Sequence, residues 1–154
     1  MSRLLRRTGI VAVTIVALLT LVAPAANAVA APNQTFDARM PFEGGPPGPV
    51  DCASGEFVAH GVIEDRGLAR LCARNFLRPR GDATGTQQFS GSTGHYTLQW
   101  KTRCGPFDEQ TNTITCTGQW TMVRGPEGHG DVTHILHFGS NEPWIEAHYD
   151  GVVS

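Results

Sequence analysis

The clearest hydrophobic pattern in the chain is a strict two-residue alternation that occurs twice between Gly94 and Gly125. In each run one face collects the large apolar side chains and one cysteine, while the other face is polar. The residues on the apolar faces are Tyr96, Leu98, Trp100, Thr102 and Cys104 in the first run, and Ile114, Cys116, Gly118, Trp120 and Met122 in the second. This alternation is typical of strands that bury one face. We therefore predict two half-buried β-strands.

The two predicted strands fit together in one antiparallel register. The opposed pairs in that register are Trp100 with Trp120, Leu98 with Met122, and Cys104 with Cys116. A slip of one residue would turn the tryptophan and the cysteine of one strand toward water, so the pairing is strongly specified. The register predicts a disulfide between Cys104 and Cys116. The segment 105–113 between them is rich in turn-forming residues and is predicted to be a long solvated hairpin loop.

The chain contains four cysteines, and four cysteines allow three disulfide connectivities. The hairpin register favours Cys104 with Cys116, which leaves Cys52 to pair with Cys72. The spacing does not resemble the paired Cys-x-x-Cys ligands of a structural zinc site, so we predict no metal, and no cofactor is indicated. Because all cysteines are expected to be paired, free-thiol catalysis is also disfavoured.

Segments 55–64, 132–138 and 144–153 also alternate with a two-residue period, although both faces of 55–64 are rather apolar. Segment 84–90 is rich in Thr and Gln and leads into a turn at 91–94. Segment 68–77 is ambiguous, because its apolar residues also recur at helical spacing and Leu, Ala and Arg favour helices. The hairpin turn predicted at 64–67 and the Pro-Arg-Gly sequence at 79–81 favour a strand instead, and a strand is our choice.

The spacing of these segments defines the expected fold class. Short strands separated by turn signals every 8 to 12 residues are typical of antiparallel barrels and sandwiches. We predict an all-β protein, a single antiparallel β-barrel of about seven to eight strands that is stabilised by disulfides. The barrel domain is expected to span residues 51–154, which is enough chain for one domain and too little for two.

The beginning of the chain has the layout of a secretory signal peptide. Three arginines precede an uncharged apolar run at 9–23, and a small-residue sequence ends at Ala28. Residues 1–28 are therefore predicted to be a signal peptide, and the apolar run is shorter than the roughly 20 residues of a membrane-spanning helix. Residues 29–50 are rich in Pro, Gly and Ala and are predicted to be a flexible lead-in, with the ordered fold starting near Val50. We expect a secreted, extracellular protein without a membrane anchor.

Charge narrows the classes of partner. Beyond residue 28 the chain keeps nine of its twelve basic residues and all fourteen acidic ones, a formal charge of −5, and Lys101 is its only lysine. An acidic chain without a basic tract argues against nucleic acid and anionic membranes as main partners. One loose basic cluster consists of Arg66, Arg70, Arg74, Arg78 and Arg80. We interpret it as a solvated face, and the alternative is a patch at the barrel rim that binds an anionic ligand.

Four segments resemble a family of small bacterial β-barrel proteins of mostly unknown function, related in architecture to the allene oxide cyclase-like barrels. They lie within residues 55–153 and are 61–67, 86–100, 118–125 and 149–151. The matching positions are mainly turn glycines and core hydrophobic residues, so the resemblance implies a fold more than an activity. Family members continue with a longer glycine-rich segment where this chain has only 125–130. The constellation that makes plant allene oxide cyclases active is not recognisable, so catalytic residues are unknown.

Histidine and carboxylate side chains in the last two predicted strands form one candidate site. If segments 132–138 and 144–153 pair as a hairpin that turns near residue 141, His134 falls opposite or diagonal to His148, and Glu146 lies beside it. Imidazole is a common metal ligand and acid–base group. His134, Glu146 and His148 are therefore a candidate ligand or metal cluster, and ordinary strand histidines are the alternative.

The barrel interior is a second candidate site. The aromatic residues that could line a small-molecule cavity are Tyr96, Trp100, Trp120 and Trp144. Barrels of about eight strands either hold one small ligand or fill with side chains, and filling is the favoured alternative.

These observations favour a secreted protein that binds a small hydrophobic ligand or an extracellular protein and to which no catalytic activity is assigned. Two alternatives stay open. One is a cyclase- or isomerase-type enzyme that works at the barrel mouth, and the other is a secreted inhibitor that uses the loop 105–115. A deep pocket lined by His or Glu would favour the enzyme, whereas a filled interior with an exposed rigid loop would favour the inhibitor.

Overall fold

A computed structural model describes residues 33–43, 50–76, 78–139 and 142–154 of the chain. These residues form eight strands, which are β1 (Asn33–Pro41), β2 (Asp51–His60), β3 (Asp65–Arg74), β4 (Asp82–Gly91), β5 (His95–Asp108), β6 (Thr113–Arg124), β7 (Gly128–His137) and β8 (Trp144–Val153). Each strand pairs antiparallel with the next, and β8 pairs with β1 to close a barrel. The predicted fold class is confirmed. Within the described ranges, no helix has the length and apolar character needed to cross a membrane.

Strand β1 corrects the prediction that the ordered fold starts near Val50. Residues 33–41 pair with both β2 and β8, and they bury Phe36, Ala38 and Met40 inside the barrel. A sheet of seven strands would leave the edges of β2 and β8 unpaired, and β1 covers both. The signal peptide predicted at 1–28 and the Pro/Gly-rich segment 44–49 lie outside the described residues.

The central hairpin, β5 and β6, has the predicted register. Trp100 lies opposite Trp120, and the Leu98–Met122 and Cys104–Cys116 pairs follow from it. The long solvated loop predicted at 105–113 is wrong, since both strands continue past the cysteines and only residues 109–112 connect them. The carboxylate of Asp108 accepts hydrogen bonds from the backbone N–H groups of Gln110 and Thr111, and this interaction fixes a tight turn.

Segment 68–77 is a strand over most of its length, as chosen from the sequence. Strand β3 buries Ala69, Leu71 and Ala73, and it pairs with β2 and β4. The turn before it comprises residues 61–64 instead of the predicted 64–67, because Gly61 adopts a φ of 129° that favours glycine. Tertiary pairing on both sides outweighs the local helix propensity of this segment.

Both predicted disulfides are present. Cys104–Cys116 joins β5 and β6 on the inner face of the barrel, where both cysteines are buried. Cys52–Cys72 joins β2 and β3 on the outer face. The two bridges lie toward the same end of the barrel, which we call the disulfide end.

Aromatic side chains occupy much of the interior. Phe36 stacks on Phe89 with ring centroids 4.9 Å apart, and Phe76 folds back beyond the end of β3 to contact Trp100. Gly85 lies opposite Trp100, and a Cβ atom there would come within 2.5 Å of the indole. The absence of a side chain at residue 85 therefore makes room for the ring of Trp100.

At the other end of the barrel, Asp65 organises the turn between β4 and β5. Its buried carboxylate accepts hydrogen bonds from the backbone N–H and hydroxyl groups of both Ser92 and Thr93. Burial acts to raise the pKa of Asp65, but the hydrogen bonds from Thr93 and Ser92 outweigh it and hold the pKa well below its usual range. This ion therefore ties β3 to the β4–β5 turn.

Candidate functional site

The predicted cluster of His134, Glu146 and His148 does not form. His134 pairs with Ala147 and its side chain is inside the barrel, whereas Glu146 and His148 are exposed on the outer face. The predicted register was wrong by one residue, and such a shift moves a side chain to the opposite face of a sheet. Within the described ranges, no three His, Cys, Asp or Glu side chains are grouped so that they could hold a metal ion.

Inside the barrel, His134 belongs to a buried hydrogen-bonded chain. Its Nε2 lies 2.9 Å from the Tyr149 hydroxyl, which in turn donates to Gln87 Oε1 at 3.2 Å. Because the Tyr149 hydroxyl donates its proton to Gln87, its oxygen accepts a hydrogen bond from His134 Nε2. This assigns the neutral Nε2–H tautomer to His134. Gln87 Nε2 then contacts Met40 Sδ at 3.5 Å. Three strands are linked by polar groups within the core.

The buried side chains of this hydrogen-bonded network are uncharged. Burial lowers the pKa of His134 to about 3, and burial raises the pKa of Tyr149 well above its ordinary value. Both groups are therefore neutral near pH 7. A neutral imidazole with no exposed surface cannot exchange protons with a substrate outside the barrel. We therefore interpret the hydrogen-bonded network of His134, Tyr149 and Gln87 as structural.

Several buried polar atoms near these three side chains have no hydrogen-bond partner among the described residues. They are Trp100 Nε1, Thr102 Oγ1 and His134 Nδ1. The Trp100 and His134 rings are in contact, with centroids 4.5 Å apart, and Phe76 packs against both. Unpaired buried polar groups lower the free energy of unfolding. Phe76 covers this part of the interior from the disulfide end.

The aromatic residues predicted to line a cavity separate into two groups. Tyr96, Trp100 and Trp120 are buried in the barrel, as expected, but Trp144 lies on the outer wall. The indole of Trp144 is stacked on His137 at 3.8 Å, and the Arg39 guanidinium lies 4.2 Å above the ring. Because both faces of this indole are covered, it offers no free platform on which a sugar ring could stack.

The outer wall carries the most distinctive exposed surface of the described residues. Leu68 is 67% exposed in the first half of β3, and Val58 is 43% exposed near the end of β2. A groove of about 780 Å³ runs across β8, β1, β2 and β3 on one side of Leu68, and a second groove of about 500 Å³ crosses β2, β3 and β4 on its other side. Leu68 lines both grooves and therefore forms a ridge between them.

Two charged residues flank this apolar pair. Val58 lies opposite Arg66, and Glu56 lies opposite Leu68. We call Glu56, Val58, Arg66 and Leu68 the β2–β3 patch. Among the described residues, neither the Glu56 carboxylate nor the Arg66 guanidinium has a hydrogen-bond or ion-pair partner.

Most other charges around the patch are already paired. Asp37 contacts His148 at 2.5 Å, and Glu146 lies 3.5 Å from His137. Arg70, from the predicted basic cluster, binds both carboxylate oxygens of Glu43 at 2.9 and 3.1 Å. The Arg70 hydrogen bond is the main cause that lowers the pKa of Glu43 to about 2. Arg39 lies opposite Glu56 on β1, but its guanidinium sits over the Trp144 ring and forms no ion pair among the described residues.

The sequence contained a partial signal for the patch. Both faces of segment 55–64 are rather apolar, whereas a half-buried strand shows one polar face. Val58 on β2 and Val62 in the following turn are the exposed apolar residues of that segment. Leu68 was obscured because it fitted the helical reading of segment 68–77. Gln87 and Tyr149 were not recognised as polar partners of His134, since no spacing rule connects strands β4, β7 and β8.

Comparisons of the chain with protein-family models, with curated proteins and with solved structures find no match. The resemblance to small bacterial β-barrel proteins therefore stays a prediction.

Proposed function

We propose that this protein is a secreted binding module that recognises a protein surface through the β2–β3 patch on its outer wall. The observation that carries the proposal is the exposure of Leu68, 67%, on a strand in the wall of a closed barrel. Outward-facing strand positions are usually polar, and contiguous apolar surface between grooves is typical of interaction sites.

The chemistry of the patch favours a protein over other partners. It combines two aliphatic side chains with one free carboxylate and one free guanidinium, a mixture that matches protein interfaces. A glycan would gain little, because Trp144 is covered on both faces by His137 and Arg39. The negative charge of the chain beyond residue 28 disfavours nucleic acid.

Secretion is supported by two independent features. The sequence before residue 29 has the layout of an export signal. Two disulfides hold the barrel, and disulfides persist in oxidising compartments.

Site-specific photo-crosslinking tests the proposal. A photoreactive amino acid replaces Leu68 in the full chain, which is produced in its own host and irradiated in the culture. A matched control carries the same group at Val123, which is 52% exposed on β6. We expect one discrete protein adduct from residue 68 and none from residue 123. Equal or absent crosslinking at the two positions contradicts the proposal.

A further inference from the structure

We infer that the partner of the β2–β3 patch is a second copy of this chain, bound about a two-fold axis. The inference rests on the proposed function, because it names the partner of the same surface. It is carried by the arrangement of four side chains on the outer face and by the two charges that lack a partner within the described chain.

The four side chains lie at the corners of a rectangle on the wall of the barrel, about 4.8 Å across the strands and about 6.7 Å along them. Val58 and Arg66 are opposite each other across β2 and β3, and Glu56 and Leu68 are opposite each other one step along the strands. Val58 and Leu68 therefore occupy one diagonal, and Glu56 and Arg66 occupy the other. All four lie on the outer face, since Phe57 and Ala69 alternate with them and are buried.

Four two-fold axes in the plane of the wall would bring this patch face to face with its copy. An axis along the strands would place Glu56 on Leu68 of the second copy, and an axis across the strands would place Val58 on Glu56; both set a charge against an aliphatic side chain, which is unfavourable. An axis along the Glu56–Arg66 diagonal would place each charge on its own like charge. An axis along the Val58–Leu68 diagonal avoids all of these conflicts.

With that diagonal axis, each apolar residue meets its own copy. Glu56 of one chain then faces Arg66 of the other, and the symmetry forms this ion pair twice. The two charges without an internal partner thereby satisfy each other between copies. The same operation turns the strand direction by roughly 70°, because two residues along a strand span more than the distance between neighbouring strands.

A protein interface of standard size covers about 800 Å² on each partner, more than four side chains supply. The contact therefore has to include residues around the patch, among them those that line the grooves beside Leu68.

Charge-reversal variants test the inference through the dimer Kd, because combining the two reversals should restore the dimer. The mature wild-type chain, Glu56→Arg and Arg66→Glu are compared by analytical ultracentrifugation up to about 0.1 mM, a range in which weak specific dimers form. Either single reversal creates two like-charge contacts and is expected to raise the dimer Kd about 100-fold or more. Arg103→Glu, an exposed charge on β5, is the matched control and should leave the Kd unchanged.

The rescue distinguishes pairing across the axis from a general effect of charge. An equimolar mixture of Glu56→Arg and Arg66→Glu has opposite charges at both contacts, so it is expected to form a heterodimer. The double variant in one chain should regain a homodimer. A monomeric wild type, or dimers unaffected by the single reversals, would overturn the inference, as would failure of both rescues in variants whose circular dichroism matches the wild type.

The two proposals can fail separately. If Leu68 crosslinks to a different protein and the chain is monomeric, the partner is wrong while the binding surface stands. If the chain is monomeric and the photoreactive group at residue 68 forms no adduct, both proposals are wrong. A crosslink between two copies through residue 68, together with the charge rescue, supports both.

Discussion

Acidification tests whether His134 is buried in its neutral form. In the folded chain the pKa of His134 is lowered to about 3 by burial, against an ordinary value of 6.5 in an unfolded chain. Below pH 6.5 the His134 imidazole is therefore protonated in the unfolded state and stays neutral in the folded state. The contribution of His134 to stability is fully present above pH 6.5 and is lost as the pH falls toward about 3.

The magnitude follows from the difference in proton binding. Each pH unit in this window costs about 1.4 kcal/mol. Between pH 7.5 and pH 5.0 the free energy of unfolding should therefore fall by about 2 kcal/mol through His134 alone. The carboxylates with lowered pKa values, such as Asp65, add to acid destabilisation only at lower pH.

Urea unfolding followed by tryptophan fluorescence at the two pH values measures this loss. His134→Gln retains a donor for Tyr149 but cannot titrate, so most of the pH dependence should disappear in this variant. His95→Gln, which changes an exposed histidine, is the control and should behave like the wild type. If His134→Gln loses as much stability as the wild type between pH 7.5 and 5.0, the buried neutral histidine is refuted.

Three further predictions concern stability. Asp65→Asn should lower the free energy of unfolding by about 2 kcal/mol, because a charged acceptor of the β4–β5 turn is lost; an unchanged thermal unfolding midpoint would contradict this role. Replacing Cys104 and Cys116 together by Ala should cost about 3 kcal/mol, given their separation of 12 residues, and non-reducing peptide mapping of the wild type should recover this bridge. Gly85→Ala should destabilise by about 1 to 3 kcal/mol, because the new Cβ meets the Trp100 indole, and retention of the wild-type urea midpoint would argue against that contact.

The central hairpin shows why part of the fold was predictable. Two tryptophans and two cysteines at matching spacing leave one register that buries all four, so local sequence determined long-range pairing there. The segment of β1 was assigned to a flexible lead-in, with only a piece of it allowed as an eighth strand, although Phe36, Ala38 and Met40 alternate. The reason is that the composition around it is rich in Pro, Gly and Ala. Its role depends on closing the barrel, which is a property of the complete sheet and not of the segment.

The candidate site was less predictable for a related reason. Whether His134 meets His148 depends on a one-residue difference in register between β7 and β8, and turn composition did not fix that difference. The exposure of Leu68 likewise depends on which face of β3 points outward. Both faces of that segment contain aliphatic residues, so the pattern alone could not decide it.

The antiparallel pairing of β1 with β8 has a practical consequence for engineering. The start of β1 and the end of β8 are neighbours, since Asn33 lies opposite Val152. A short linker could join residue 154 to residue 33, and new termini could be opened at 109–112. The Cys104–Cys116 bridge would then hold the two new ends together. Such a circular permutant would carry its termini at the disulfide end and leave the outward faces of β2 and β3 free for immobilisation-based measurements.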